Sequence, residues 1–238
     1  MNLIIDVGNT KAKVAVAHEG RLLTVEQHEQ ITPETLKPLL EQYRITSAIY
    51  SSVRAGSQEE WITWLGNQVA TLIHFTHTTA VPVKNLYRTP ESLGCDRLAA
   101  AVGAHTLFPD TDCMIIDCGT AITIDFLSRD GAFLGGNISP GLQTRFNALH
   151  TFTGKLPLKQ VTADIPPTIG TNTDMAITAG VLQGTCYEIE GYMRKNPQYR
   201  TIFTGGDAFF FVRNIKSPIF VVCNLVLIGL NRIVNYNV

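Results

Sequence analysis

The chain has 238 residues, 45 % hydrophobic and 16 % charged, enough for one large domain or two modest ones with a sizeable core. Nineteen basic against twenty acidic residues leave a net charge of −1 with no run of Lys or Arg, which argues against an electrostatic track for nucleic acid. The five cysteines, Cys95, Cys113, Cys118, Cys186 and Cys223, are odd in number and form no CxxC pair, so they read as buried thiols in a reducing compartment.

The first element is "IIDVGNTKAKVAV" at 4–16, two apolar strands joined by a turn rich in polar residues and glycine. Asp6 interrupts the opening apolar run and no basic segment precedes it, so no secretory signal is expected and the protein is assigned to the cytoplasm. Glu19-Gly20 marks a second turn and a third strand, and "PETLKPLLEQY" at 33–43 reads as a helix. "ITSAIYSSV" at 45–53 has the character of a buried strand, with a helix over Glu59–Ala70 after it. His74 and His77 fall in "LIHFTHTTAVPV", a strand or loop stretch that gives a zinc site little support. A helix is predicted from Asp96 to Leu107, ended by Pro109-Asp110.

The opening pattern then returns as "IIDCGTAITIDFL" at 115–127. Asp6 matches Asp117, Gly8 matches Gly119, and Glu19-Gly20 matches Asp130-Gly131, all 111 positions apart. Each copy reads as strand, acidic turn, strand, turn, strand and helix, the second helix being "SPGLQTRFNALH" at 139–150. An internal duplication is expected, with halves at 1–112 and 113–238.

After Thr173, Met175, Ala179, Leu182, Cys186, Ile189 and Met193 recur at helical spacing, a stripe that suits either core or a subunit contact. "RTIFTGGD" at 200–207 ends a strand in a glycine pair, and "NLVLIGLNRIV" reads as a last helix. The apolar run "IFVVCNLVLIGL" at 219–230 contains Asn224 and is too short to span a bilayer, so no membrane partner is expected.

Two Asp-x-Gly turns, each inside an apolar strand context, suit a nucleoside triphosphate. Glycine admits phosphate close to the backbone, Asn, Thr and N–H groups donate to it, and carboxylates hold the accompanying cation. Lys11 and Lys13 alternate with alanines and are expected on one side of the second strand, facing phosphate or solvent. Asp96 serves either as an N-cap or as the carboxylate that accepts a substrate hydroxyl proton; Arg97 is either a surface charge or the holder of an anionic substrate group. "GGNISPG" and "TGGD" suit either a backbone lining a ligand or plain tight connections.

"DVGNTKAK", "YRTPESLGCDR", "DCGTAIT", "GGNISPG", "GTNTDMAITAG" and "FTGGD", in this order over nearly the whole chain, resemble a type III pantothenate kinase. The resemblance implies an α/β fold of duplicated ribonuclease-H-like, actin-like ATPase halves with a nucleotide cleft between them. It implies phosphorylation of pantothenate to 4′-phosphopantothenate, using ATP with Mg²⁺, as the first step of coenzyme A synthesis. By motif, Asp6, Val7, Gly8, Asn9, Thr10, Lys11, Ala12 and Lys13 form the first phosphate loop and Thr120 contacts ATP from the second. Tyr87, Gly94, Cys95, Asp96, Arg97 and Thr173 resemble the pantothenate site, with Asp96 as general base and Arg97 facing the substrate carboxylate. Asp117 resembles the ligand of an activating monovalent cation, K⁺ or NH₄⁺. The family is dimeric, which makes the long striped helix an interface candidate. Cys95 stands where alanine is more familiar, and the chain is near the short end for the family. A nucleotide-binding accessory protein that has lost the chemistry, and a kinase for another small hydroxylated acid, are the competing functions.

Overall fold

The computed structural model describes residues 1–52, 60–162 and 167–238. The elements up to the start of the repeat are β1 (Asn2–Val7), β2 (Ala12–His18), β3 (Arg21–His28), α1 (Pro33–Gln42), β4 (Ser47–Ser52), α2 (Glu60–Gly66), β5 (Thr71–His74), β6 (Lys84–Asn85) and α3 (Cys95–Leu107). The remainder comprises β7 (Cys113–Cys118), β8 (Ala121–Leu127), β9 (Ala132–Pro140), α4 (Leu142–Phe152), α5 (Thr173–Lys195), β10 (Arg200–Thr204), α6 (Ala208–Asn214), β11 (Phe220–Val221) and α7 (Leu225–Asn237). Among the described residues no helix is long and apolar enough to cross a membrane.

The chain divides into two compact units: Met1–Asp110 with Ser128–Leu134 and Asn224–Val238, and Thr111–Leu127 with Gly135–Cys223. In the first, the strand order is β3-β2-β1-β4-β5, with β1 antiparallel to β2 and parallel to β4. The central strands are apolar on both faces, whereas β3 alternates exposed and half-buried residues, as suits an edge. Leu3, Ile5 and Val7 of β1 join Val14, Val16, Leu36, Leu39, Trp61 and Leu65 in a core under α1 and α2. Helix α1 starts as the sequence predicts, because Thr32 and Thr35 exchange side-chain and backbone hydrogen bonds as a capping box.

Helices α3 and α7 pack on the opposite face, where Asn2 of β1 donates to Asn231 and Asn235 of α7. They approach closely through glycine: a Cβ on Gly229 would stand 1.8 Å from the Ala99 carbonyl oxygen, and one on Gly103 2.4 Å from that of Leu225. In the first unit, too, Ala132 and Phe133 at the start of β9 run parallel to Lys84 and Asn85 of β6.

The second unit repeats the strand order as β9-β8-β7-β10-β11, with β7 antiparallel to β8 and parallel to β10. The predicted helix at 139–150 begins later, at Leu142, because Ser139 and Pro140 still belong to β9. Of the predicted 59–70 helix, Glu60–Gly66 is helical and Glu59 lies outside the described residues, as does Val53 of the predicted strand. On α5, Leu182, Cys186 and Ile189 enter a core with Ile116, Phe146, Phe203 and Phe211, so this part of the stripe is core. Cys113, Cys118 and Cys186 are buried as expected; Cys95 is half-buried and Cys223 is exposed.

Candidate active site

In the first unit the β1–β2 hairpin brings Asp6 directly opposite Lys13 and Val7 opposite Ala12. The turn closes through the Gly8 N–H, which donates to the Lys11 carbonyl at 3.1 Å, and a Cβ on Gly8 would meet that oxygen at 3.0 Å. Asn9, Thr10 and Lys11 are exposed on the turn. Lys11 precedes β2, so the expected alternation of two lysines on one strand gives way to one strand lysine, Lys13, on the face that carries Asp6.

The N-cap position of helix α3 is Gly94, two residues before Asp96, which overturns the reading of Asp96 as the N-cap. Asp96 sits in the first turn, where its Oδ1 accepts the Arg97 N–H at 2.9 Å and the helix dipole favours its negative charge. Arg97 is 6 % exposed, which overturns its reading as a surface charge. Its guanidinium lies 5.5 Å from the Tyr87 ring centre and 5.9 Å from that of Phe133, a cation–π setting that fixes the plane of the group. Cys95 Sγ reaches the Phe75 carbonyl at 3.5 Å, and burial, then the Asp96 charge, push its thiol upward. The first unit thus brings together Tyr87, Gly94, Cys95, Asp96 and Arg97.

In the second unit β7 ends at Asp117-Cys118, and the Gly119 N–H closes the turn on the Ala121 carbonyl at 3.1 Å. The Thr120 carbonyl accepts from the Gly141 N–H at 2.9 Å and from Thr144 Oγ1 at 2.7 Å, which ties the turn to the start of α4. "TGGD" folds back on the same turn. Gly205 has φ +89°, and a Cβ there would stand 2.4 Å from Asp117 Oδ1 and 2.5 Å from the Cys118 carbonyl. The Asp207 N–H donates to that carbonyl at 3.0 Å, and burial pushes the Asp207 carboxyl up. Thr173 is the exposed first residue of α5, whose cap is Asn172, accepting the Met175 N–H at 2.9 Å.

Among the described residues no three His, Cys, Asp or Glu side chains gather into a cage for a metal ion. Mg²⁺ needs no such cage, since it retains waters and takes one or two carboxylates together with phosphate oxygens. Asp6 and Asp117, each at a strand end beside a glycine turn, have the hard oxygen donors that suit it or a monovalent cation. His74 stacks on Tyr50, ring centres 4.5 Å apart, an ordinary packing role.

The sequence reading missed Phe133, Thr144 and Ser51. Phe133 is the second ring beneath Arg97, and Thr144 anchors the Thr120 turn. Ser51 is a fully buried hydroxyl in line with Asp6. A signal for Ser51 exists in "AIYSS", where a polar residue ends a buried parallel strand at the edge that ligands favour.

A model of the type III pantothenate kinase family matches residues 2–195. A type III pantothenate kinase of Phocaeicola vulgatus is 44 % identical, over 100 % of this chain and 99 % of its own. Among solved structures, a Campylobacter jejuni protein described as a conserved putative Baf family transcriptional activator superposes with TM-score 0.66 at 22 % identity, covering 99 % of this chain and 98 % of its own. The activator of 2-hydroxyisocaproyl-CoA dehydratase from Clostridium difficile, with bound ADPNP, gives 0.58 at 14 % identity, over 99 % and 94 %. The structural likenesses show a shared α/β fold, and the full-length sequence match decides the lineage: this chain belongs to the type III pantothenate kinase family.

Proposed function

We propose that the chain transfers the γ-phosphoryl group of ATP to pantothenate, giving 4′-phosphopantothenate in coenzyme A synthesis. The observation that carries this is the start of α3, where the Asp96 carboxylate precedes a buried, aromatic-braced Arg97. A flat guanidinium held by rings suits a carboxylate, and pantothenate carries one at the end remote from its reacting hydroxyl. Asp96 accepts the proton of that hydroxyl as its oxygen attacks phosphorus, and ADP leaves with the electrons of the broken P–O bond.

Tyr87, Gly94, Cys95 and Thr173 complete the substrate site. The 6–13 loop receives phosphate through the Gly8 turn, the Asn9 and Thr10 donors and Lys13, and Thr120 meets ATP from the second turn. When bound, Mg²⁺ neutralises charge on the triphosphate. Asp117 takes K⁺ or NH₄⁺, supported by a carboxylate pressed against the Gly205 backbone.

We further propose that residues 1–112 and 113–238 descend from one duplicated half, which the shared strand order supports. The protein works as a homodimer in the cytoplasm. The support for a dimer is an open groove of about 570 Å³ lined by Leu149, Phe152, Ile177 and Val181, with Phe152 86 % exposed. The free thiols agree with a reducing compartment.

The test is ADP release by purified protein with ATP, Mg²⁺ and pantothenate, with and without K⁺, with the product mass read in parallel. Pantothenate-dependent turnover that K⁺ raises is the expected result. Protein that binds ATP but releases no ADP overturns the kinase in favour of an accessory role. Light scattering of the same sample, with Phe152→Glu beside it, reads the dimer.

A further inference from the structure

Ser51, near the end of β4, is 0 % exposed, and its hydroxyl has no hydrogen-bond partner among the described residues. A hydroxyl buried in this way carries a desolvation penalty that no hydrogen bond repays, and alanine at the same backbone position would avoid it. A stability cost kept at a fully packed position points to a use for the hydroxyl.

Its surroundings name that use. In the parallel register of β1 and β4, Ser51 stands beside Asp6, and Asp6 stands opposite Lys13 on β2. Side chains in register share a face, so Lys13, Asp6 and Ser51 form a row across three strands spaced about 4.8 Å apart. Leu3, Ile5 and Val7 occupy the opposite face, in the core under α1 and α2. The Phe75 N–H donates to the Tyr50 carbonyl next to Ser51, and the Phe75 carbonyl receives the Cys95 thiol. The first turn of α3, with Asp96, therefore lies against the same end of the sheet.

We propose that Ser51 is a positioning residue for Asp6: its hydroxyl donates to the Asp6 carboxylate when magnesium nucleotide binds, and so fixes the orientation in which that carboxylate meets the cation and its waters. Asp6 is half-buried at a strand end, beside the glycine turn, where a charge-assisted hydrogen bond from the serine favours one orientation of the carboxylate. The inference rests on the reading of Asp6 as a phosphate-site carboxylate.

The experiment compares wild type, Ser51→Ala, Ser51→Cys, Asp6→Asn and the double variant Asp6→Asn/Ser51→Ala. It reads the melting temperature of the ligand-free protein, the affinity for magnesium ATP, and kcat and KM for each substrate. Ser51→Ala is expected to melt at or above the wild-type temperature while kcat/KM for ATP falls about tenfold, with KM for pantothenate unchanged. Ser51→Cys, with a weaker donor of similar size, falls between. In the double variant, magnesium ATP binds as in Asp6→Asn alone, because the serine acts through the carboxylate. Wild-type kinetics in Ser51→Ala overturn the proposal, as does an equal further loss on top of Asp6→Asn, or a lowered melting temperature with both substrates equally weakened. Wild-type ATP binding and turnover in Asp6→Asn instead overturn the phosphate-site reading of Asp6 itself, and the role of Ser51 with it.

Discussion

The Arg97 guanidinium lies over the Tyr87 ring, 5.5 Å from its centre, with Phe133 as a second ring at 5.9 Å. Such bracing fixes the plane of the fork, and a planar fork pairs with a carboxylate through two parallel hydrogen bonds. Lysine supplies the charge but neither the plane nor the ring contact. Arg97→Lys is expected to raise KM for pantothenate about tenfold or more and leave KM for ATP within about twofold. Steady-state kinetics with each substrate varied in turn separate the two, and a matched rise in both would remove Arg97 from the substrate site.

Asp96 allows a cleaner substitution. Its Oδ1 accepts the Arg97 N–H in the first turn of α3, and the side-chain oxygen of asparagine preserves that bond while removing the basic carboxylate. Asp96→Asn is expected to lower kcat at least about a hundredfold with ATP affinity retained, since a general base contributes on that order. Equilibrium ATP binding beside turnover checks it; near-wild-type kcat would assign the proton to another acceptor.

What the sequence revealed and what it hid divide along physical lines. The Asp6 and Asp117 turns were legible because a hairpin is local: strand period, turn residues and the 111-residue offset all lie within short windows. Helices α1, α3, α5 and α7 were legible for the same reason, through their periodicity and end signals. The burial of Arg97 was not, because it depends on Phe133, which reaches the first unit only when the start of β9 pairs with β6. The polar end of "AIYSS" was legible, but the place of Ser51 beside Asp6 was hidden likewise, since it follows from a parallel register between strands 45 residues apart. The C-terminal helix was legible as a helix, but its packing on α3 turns on the Gly103 and Gly229 contacts, which have no local signature.

The glycine pair of "TGGD" offers an internal control. Gly205 has φ +89° and presses on Asp117 and Cys118, whereas a Cβ on Gly206 would meet nothing within 4 Å. Gly205→Ala is expected to cost about 1–3 kcal/mol of stability through strained backbone and collision, and to abolish the K⁺ response. Gly206→Ala stays within about 0.5 kcal/mol. Thermal unfolding with and without K⁺ reads both; equal effects would show that the close approach at Gly205 is dispensable.

A second glycine contrast tests the packing of α3 on α7. A Cβ on Gly229 would collide with the Ala99 backbone, while Gly191 on α5 has open space around it. Gly229→Ala should destabilise by about 3 kcal/mol or more, because the obstacle is main chain and the helices must separate. Gly191→Ala should stabilise by about 0.5–1 kcal/mol through helix propensity. Denaturant melts of the two variants give the opposite signs directly, and a mild effect at Gly229 would mean that the crossing adjusts.

Asp207 carries a prediction in pH. Burial raises its carboxyl above the unfolded value, so the folded protein binds this proton more tightly than the unfolded chain does. The stability it contributes is present in full below the unfolded pKa of about 3.9 and is lost as pH rises through the higher folded value. At neutral pH the ionised, desolvated carboxylate is therefore a cost, and Asp207→Asn removes it while leaving the backbone bond from position 207 to Cys118 in place. Melted without nucleotide or K⁺, the variant should exceed wild type at pH 7, and the gain should shrink towards pH 4. A difference that stays level across this range would mean that the asparagine acts through new hydrogen bonds instead of relieving a buried charge.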